Sequence, residues 1–475
     1  MKRLLSYLLT VLICSACEHN IGVQQGPEGQ IVFDSCFSTM KSSFTEDFQS
    51  IWETSDMIGI YGYKDGRKMG VNALYQTDVN KQDPVYARFL PVDNTLQWVG
   101  GGTYKFYAYS PYNTNASDIT KIPFEIPAFQ VQKTSADPSG FADYDIKISK
   151  VSTERSGTSF GGTIVPTFTF SHLFTIVQLD LKAAGDMIGR KVVKASLTSD
   201  SAPLAGEGTF NLYDDKLPVS IKDRSSSTVI LEMENYPELS ESATSLYYIV
   251  LPSGNKVDLS INLILDNAQV VTLDYDDVRL EKNSHITLNA LISSEFHPNP
   301  VVELPVTVSF ESNGRGMSEG AVLGNTVAFF NGMSILREDA PIRYIANDQQ
   351  PSFASSNWSL NQSYVVSIPF AQEFSGTLEM DFTFVSRGLA LWVAEWSSDK
   401  IAWNRSSSFS FYNSTELYPC KATFNIPQTE TIPSGGNLYL RLRPADMTPC
   451  TEGSVPYVNK DTDPRLVYSM TITGR

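Results

Sequence analysis

Four histidines, His19, His172, His285 and His297, are the side chains of this chain that titrate near neutral pH when unperturbed. His19 lies in a polar stretch near the N-terminus and His297 in a proline-containing linker. Neither stretch would hold an imidazole against a nucleophile. His172 and His285 open strand-like runs and read as structural residues, so a Ser-His-Asp triad has few candidates. Asp274-Tyr275-Asp276-Asp277 is dense in carboxylates but lacks the spaced oxygen ligands of a calcium loop, and it reads as a solvated turn. No metal-ligand set and no cofactor motif emerges, and the chain is not expected to be an enzyme. A carboxylate pair for glycoside hydrolysis is a spatial feature, so a glycan hydrolase stands as a minor alternative.

Tryptophan is the second resource. Four of six fall late in the chain, at Trp358, Trp392, Trp396 and Trp403. Trp392 and Trp396 share one strand face, with Leu391, Val393 and Glu395 on the other. Exposed aromatic faces suit the apolar faces of sugar rings, which makes Trp392, Trp396 and Trp403 candidate glycan contacts. Buried core is the competing reading, and the preferred one for Trp392 and Trp396.

Cysteines carry the remaining chemistry. Lys2 and Arg3 precede an apolar run over residues 4–13, too short to remain as a spanning helix. The run ends in Cys14-Ser15-Ala16-Cys17, which resembles a bacterial lipobox. Residues 1–16 then form a signal peptide, Cys17 receives the lipid, and residues 17–28 form a polar tether. An ordinary secretory cleavage near Ala16 is the alternative. Export to an oxidising compartment leaves Cys36, Cys420 and Cys450. Cys420 and Cys450 are the better candidates for a disulfide, with both reduced as the alternative. Cys36 reads as a small buried hydrophobe.

A formal charge of -16 argues against nucleic acid, which calls for a clustered basic face. With 42% hydrophobic residues the chain can bury substantial cores. Short runs such as residues 57–61, 103–109, 175–181 and 259–265 alternate or carry β-branched and aromatic residues, and turn residues separate them. That pattern predicts an all-β protein of tandem antiparallel β-sandwiches. Expected units are 29–165, 166–295 and 301–475, with His297-Pro298-Asn299-Pro300 as the linker.

Several stretches, in order, resemble the Bacteroidetes fimbrillin family across about residues 29–295. Trp52-Glu53-Thr54-Ser55-Asp56-Met57-Ile58-Gly59-Ile60-Tyr61 is similar to its early W-x-x-x-D-x-I-G-I-Y strand. Trp98, Gly100-Gly101 and the run from Tyr104 to Tyr112 follow, then Asp143-Tyr144-Asp145. Phe168-Thr169-Phe170-Ser171-His172 resembles the opening of a second domain, and the run Leu280 to Leu288 its closing strand. Residues 396–403 resemble a W-S-x-D-x-x-x-W hairpin of jelly-roll modules, and Tyr439 to Arg443 a late strand of such modules.

The resemblance implies two transthyretin-like domains delivered to the outer membrane as a surface lipoprotein, here followed by a jelly-roll-like C-terminal sandwich. It also implies assembly with other fimbrial subunits by strand exchange, in which a groove left by a cleaved first strand accepts a neighbour's strand. The candidate first strand spans about residues 30–37. The first Lys or Arg after Cys17 is Lys41, and the first arginine is Arg67. Lys41 is therefore the candidate maturation site, and an arginine-specific cut has none nearby. That departure favours a tip, accessory or anchor subunit over a stalk subunit. A tip adhesin's C-terminal unit would contact a host or bacterial surface glycan or protein. The alternative is a surface glycan-binding lipoprotein that never assembles.

Overall fold

The computed structural model describes residues 29–37, 41–42, 51–79, 85–133, 144–156, 164–216, 218–293, 299–312, 317–338, 340–346, 351–355, 358, 362–385, 391–410, 417–446, 451–452, 455–456 and 465–475. Among them there is no α-helix. The protein is all-β, as its short alternating runs predict.

Seven strands of the N-terminal part close into a barrel, in the order Phe33–Phe37, Thr167–His172, Lys147–Arg155, Gly102–Ser110, Met57–Lys64, Arg67–Val79 and Ala87–Asp93. The central hairpin turns at Asp65-Gly66, where both residues have positive φ, at 46° and 76°. That geometry matches the right-handed twist of the strands it joins. In Gly102–Ser110, Tyr104, Phe106 and Ala108 point into the barrel core. Tyr107 and Tyr109 point the other way, into a core shared with the next unit. The strand is buried on both faces, which explains its aromatic density. A Cβ at Gly59 would collide with the Tyr109 ring and the Asn72 side chain, so the I-G-I-Y run needs its glycine.

Two facing sheets follow. One orders Thr244–Val250, Thr175–Ala183, Ser284–Ile292 and Lys41–Ser42. The other orders Val270–Arg279, Lys256–Leu265, Val192–Ser199, Thr228–Met233 and Phe129–Gln132. Pairing crosses the sequence division near residue 165 in both directions. Thr167–His172 belongs to the barrel, whereas Phe129–Gln132 and Lys41–Ser42 pair with strands of the second sandwich.

The C-terminal residues build a further sandwich around a separate core. One sheet includes Arg343–Ile345, Ser352–Ala354, Arg465–Gly474, Gly376–Val385 and Tyr418–Ile426. The other runs Gly320–Leu323, Thr326–Phe329, Ser334–Arg337, Tyr364–Pro369, Asn437–Pro444, Leu391–Ser397 and Asn404–Ser410. A small apolar cluster of Val193, Ile264 and Val270 against Ala321 and Ala328 joins this sandwich to the second one. Beside it the buried Lys194 ammonium donates to Glu232 at 3.0 Å and to the Met317 carbonyl.

Candidate strand-exchange site

The strand Phe33–Phe37 is the seam that closes the barrel. Its residues Phe33, Asp34 and Ser35 pair antiparallel with Phe89, Arg88 and Ala87, while Asp34 to Phe37 pair in parallel with Thr167 to Phe170. Alternation explains its fit: Phe33 and Ser35 turn inward, and Asp34 and Cys36 turn outward. The Phe33 ring fills an aromatic nest, with centroids 4.9 Å from Phe168, 4.9 Å from Phe106 and 5.3 Å from Tyr75. Phe37 stacks on Trp52 at 4.8 Å.

Polar contacts fix the register of this seam. Arg88 donates through Nε and Nη2 to the two oxygens of Asp34, at 2.8 and 3.1 Å. Such two-pronged pairing is geometrically selective. Ser35 donates its hydroxyl to the Ala87 carbonyl at 3.1 Å, and Tyr75 donates to the Ile31 carbonyl at 3.1 Å. Cys36 Sγ lies 3.6 Å from Thr169 Oγ1. Lifting out this one strand would bare a groove floored by Tyr75, Phe106, Phe168 and Phe170, with an unpaired backbone edge along each side.

Beyond Phe37 the chain reaches the second sandwich, where Lys41 and Ser42 pair in parallel with Ser284 and His285. The candidate maturation residue is thus in a paired strand. Its side chain lies outside the described residues. Below this junction sits a charged cluster. His172 Nδ1 is 2.6 Å from Asp145 Oδ1, and Lys147 Nζ is 3.1 Å from Asp145 Oδ2. Burial alone would raise the Asp145 pKa, but the pull of His172 and Lys147 outweighs it and holds the carboxyl well below its usual range. Burial pushes the His285 pKa down. Both described histidines therefore serve the junction.

The other candidate residues named from the sequence fall elsewhere. Cys17, His19, His297 and Cys450 lie outside the described residues. Cys420 is a free thiol facing the C-terminal core, pushed up to about 12 by burial. Asp274 and its neighbours are not a turn. They lie in the strand Val270–Arg279, and Asp277 pairs with Lys256 at 2.9 Å.

Trp392 and Trp396 are corrected as glycan contacts: they are 0% and 3% exposed and belong to the C-terminal core. Trp392 packs edge-on against Phe384 and Trp358, both at 4.9 Å. Their alternation with Leu391, Val393 and Glu395 selects a sheet face, and that face turns inward. Trp403 alone of the three is half-buried at the surface.

Sequence reasoning passed over the Asp34–Arg88 pair, for which only a 54-residue separation is visible in one dimension. It also passed over two G-x-S-x-G strings, 157–161 and 316–320. The first lies outside the described residues. In the second, Ser318 leads into the strand Gly320–Leu323 and not into a helix, so the frame of a nucleophile elbow is missing there.

The family model for fimbrillin-like proteins matches residues 44–309. The chain belongs to that family, and is accordingly a fimbrial type of cell-surface protein. No curated protein matches it. Among solved structures, a candidate cell adhesion protein from Bacteroides ovatus is similar at 18% identity and a TM-score of 0.40, covering 58% of this chain and 99% of its own. A candidate cell adhesion protein from Bacteroides uniformis is similar at 16% identity and a TM-score of 0.39, covering 57% and 95%. A fimbrial protein from Bacteroides ovatus shows 14% identity and a TM-score of 0.32, covering 56% and 50%.

Proposed function

We propose that this chain is a tip or accessory subunit of a surface fimbria, lipid-anchored through Cys17 in the outer membrane, and joined to its neighbour by strand exchange. The observation that carries the reading is the seam strand Phe33–Phe37, which is paired on both edges and plugs the barrel with Phe33. Retained, this strand keeps the groove closed to a neighbour, as suits the end of an assembly. A cut at Lys41 would instead separate plug from barrel and offer the groove for β-augmentation, as a repeating stalk subunit requires. The terminal position follows from two features. No Lys or Arg lies between Cys17 and Lys41, and the C-terminal sandwich adds a separate core to the end of the chain. A bulky terminal module suits the end of an assembly, with its loops turned outward.

Gold-labelled antibody against the C-terminal sandwich, applied to intact cells and sheared filaments, tests this reading. Label at filament ends is the expected result. Label spread along filament shafts would show a stalk subunit, and label on cells with no filament association would show a surface lipoprotein that never assembles.

A further inference from the structure

The outer face of the C-terminal sandwich carries a preorganised charged cluster. Along Asn437–Pro444, Leu438, Leu440 and Leu442 enter the core, so Tyr439, Arg441 and Arg443 stand on the opposite face. Alternate residues of a strand are spaced about 6.7 Å apart, so these three form a short row. Glu395 and Ser397 of the neighbouring strand lie opposite Arg441 and Tyr439 and share that face. Arg441 donates Nε and Nη2 to Glu395 Oε2 at 2.8 and 2.5 Å. Arg443 donates Nε and Nη2 to the same carboxylate at 3.0 and 2.8 Å. One carboxylate thus fixes two guanidinium groups and neutralises only one of them.

Aromatic rings complete the row. The Arg441 guanidinium lies 3.9 Å from the Trp403 ring centroid, and Lys400 Nζ lies 4.4 Å from that of Tyr439. The turn bearing Lys400 and Trp403 is rigid. Ser397 Oγ accepts from the backbone of Asp399 and Lys400, Asp399 Oδ1 accepts from Ile401 and Ala402, and Trp403 Nε1 donates to the Lys400 carbonyl. Arg405 extends the charge at the edge strand. Lys400, Arg405, Arg441 and Arg443 face the carboxylates of Glu395 and Asp399, a local excess of cations in a chain of net charge -16.

We infer that this face is a binding site for a carboxylate-bearing saccharide of the uronic or sialic acid class, with Arg441 as the anion-contacting group and Trp403 as a stacking wall. The Arg441 side chain keeps 19% of its surface exposed, and its Nη1 makes no hydrogen bond among the described residues, which leaves that nitrogen as the donor for a ligand carboxylate. Guanidinium and carboxylate pair strongly, and Glu395 holds this guanidinium before a ligand arrives, which lowers the ordering cost of binding. A sugar ring supplies both features the row offers to bind: a C–H face for indole and an acid group a few ångströms away. The acidic remainder of the protein repels polyanions, which confines an acidic ligand to this row. An acidic protein surface is the competing partner. It would use Ile401, which projects from the turn at 84% exposure and would serve as an apolar anchor.

The inference rests on the C-terminal sandwich being the adhesive part of the chain and not on strand exchange, so purified full-length protein tests it apart from filament position. The probe is an array of uronate- and sialate-bearing oligosaccharides, each beside a neutral counterpart. Binding is expected on acidic members only, weakened about tenfold or more by Arg441→Gln and by Trp403→Ala, and unchanged by Ile401→Ser. Arg441→Gln leaves Glu395 paired with Arg443, and a melting curve close to that of the parent protein verifies its fold. Equal signal on neutral members, no signal on any acidic member, or indifference to Arg441→Gln would overturn the inference. Capture of an acidic protein that is lost with Ile401→Ser, without saccharide binding, would assign the face to a protein partner instead.

Discussion

Phe33 and Phe168 stack ring on ring, with centroids 4.9 Å apart and planes 25° from parallel, across the parallel seam of the barrel. The contact joins residues far apart in sequence, and it makes the N-terminal strand part of the core instead of an appendage. Phe33→Ala removes the central ring of this nest. Such core truncations cost about 3–5 kcal/mol, so the variant should melt well below the parent protein. A melting curve within a degree of the parent's would mean that the strand is not packed as described.

Acid should weaken the junction through His285. Burial lowers its folded pKa, so the unfolded chain, near 6.5 for histidine, takes up the proton first. Its stabilising contribution is full above the unfolded value and is lost as pH falls through about 6.5 towards the lowered folded value. Asp145 works in a different window. Its folded pKa is lowered, so its contribution is full above about 4 and is lost only below that. The urea midpoint should therefore drop between pH 7.5 and 5, and His285→Gln should flatten that drop. An unchanged slope in the variant would remove His285 from the explanation.

The two kinds of tryptophan should separate by stability. Trp392→Ala opens a cavity beneath Phe384 and Trp358, at about 3–5 kcal/mol. Trp403→Ala acts at the surface and should cost about 1 kcal/mol or less. Denaturant titration of both variants checks the order. Equal losses would contradict the inward placement of Trp392.

Lipid attachment at Cys17 is read by metabolic labelling with a fatty-acid analogue. The label should vanish with Cys17→Ala and persist with Cys14→Ala. Persistence in the first variant would refute the assignment.

Much of the architecture was legible in one dimension because period-two alternation and turn residues are local. The Asp65-Gly66 turn and the shared face of Tyr104, Phe106 and Ala108 follow from such signals alone, but not that the opposite face, with Tyr107 and Tyr109, is buried in a second core. Strand partners are not local. Thr167–His172 has the alternation of any half-buried strand, and nothing in it states that it closes the first barrel beside Phe33–Phe37 and does not open the second unit. The sidedness of Trp392 and Trp396 was legible, but not which side faces solvent, because both faces of Leu391–Ser397 are largely buried. The Glu395 cluster stayed hidden for the same reason: Arg441 and Arg443 look like ordinary outward residues until Glu395 is placed opposite them.

The N-terminus of the protein recovered from native surface filaments tests the central claim most directly. The account predicts a form that begins at Cys17 and retains the seam strand Phe33–Phe37, recovered in small amount relative to a distinct stalk protein and located at filament ends. Long homopolymers of this chain beginning just after Lys41 would contradict it, since they would show a cleaved, repeating stalk subunit.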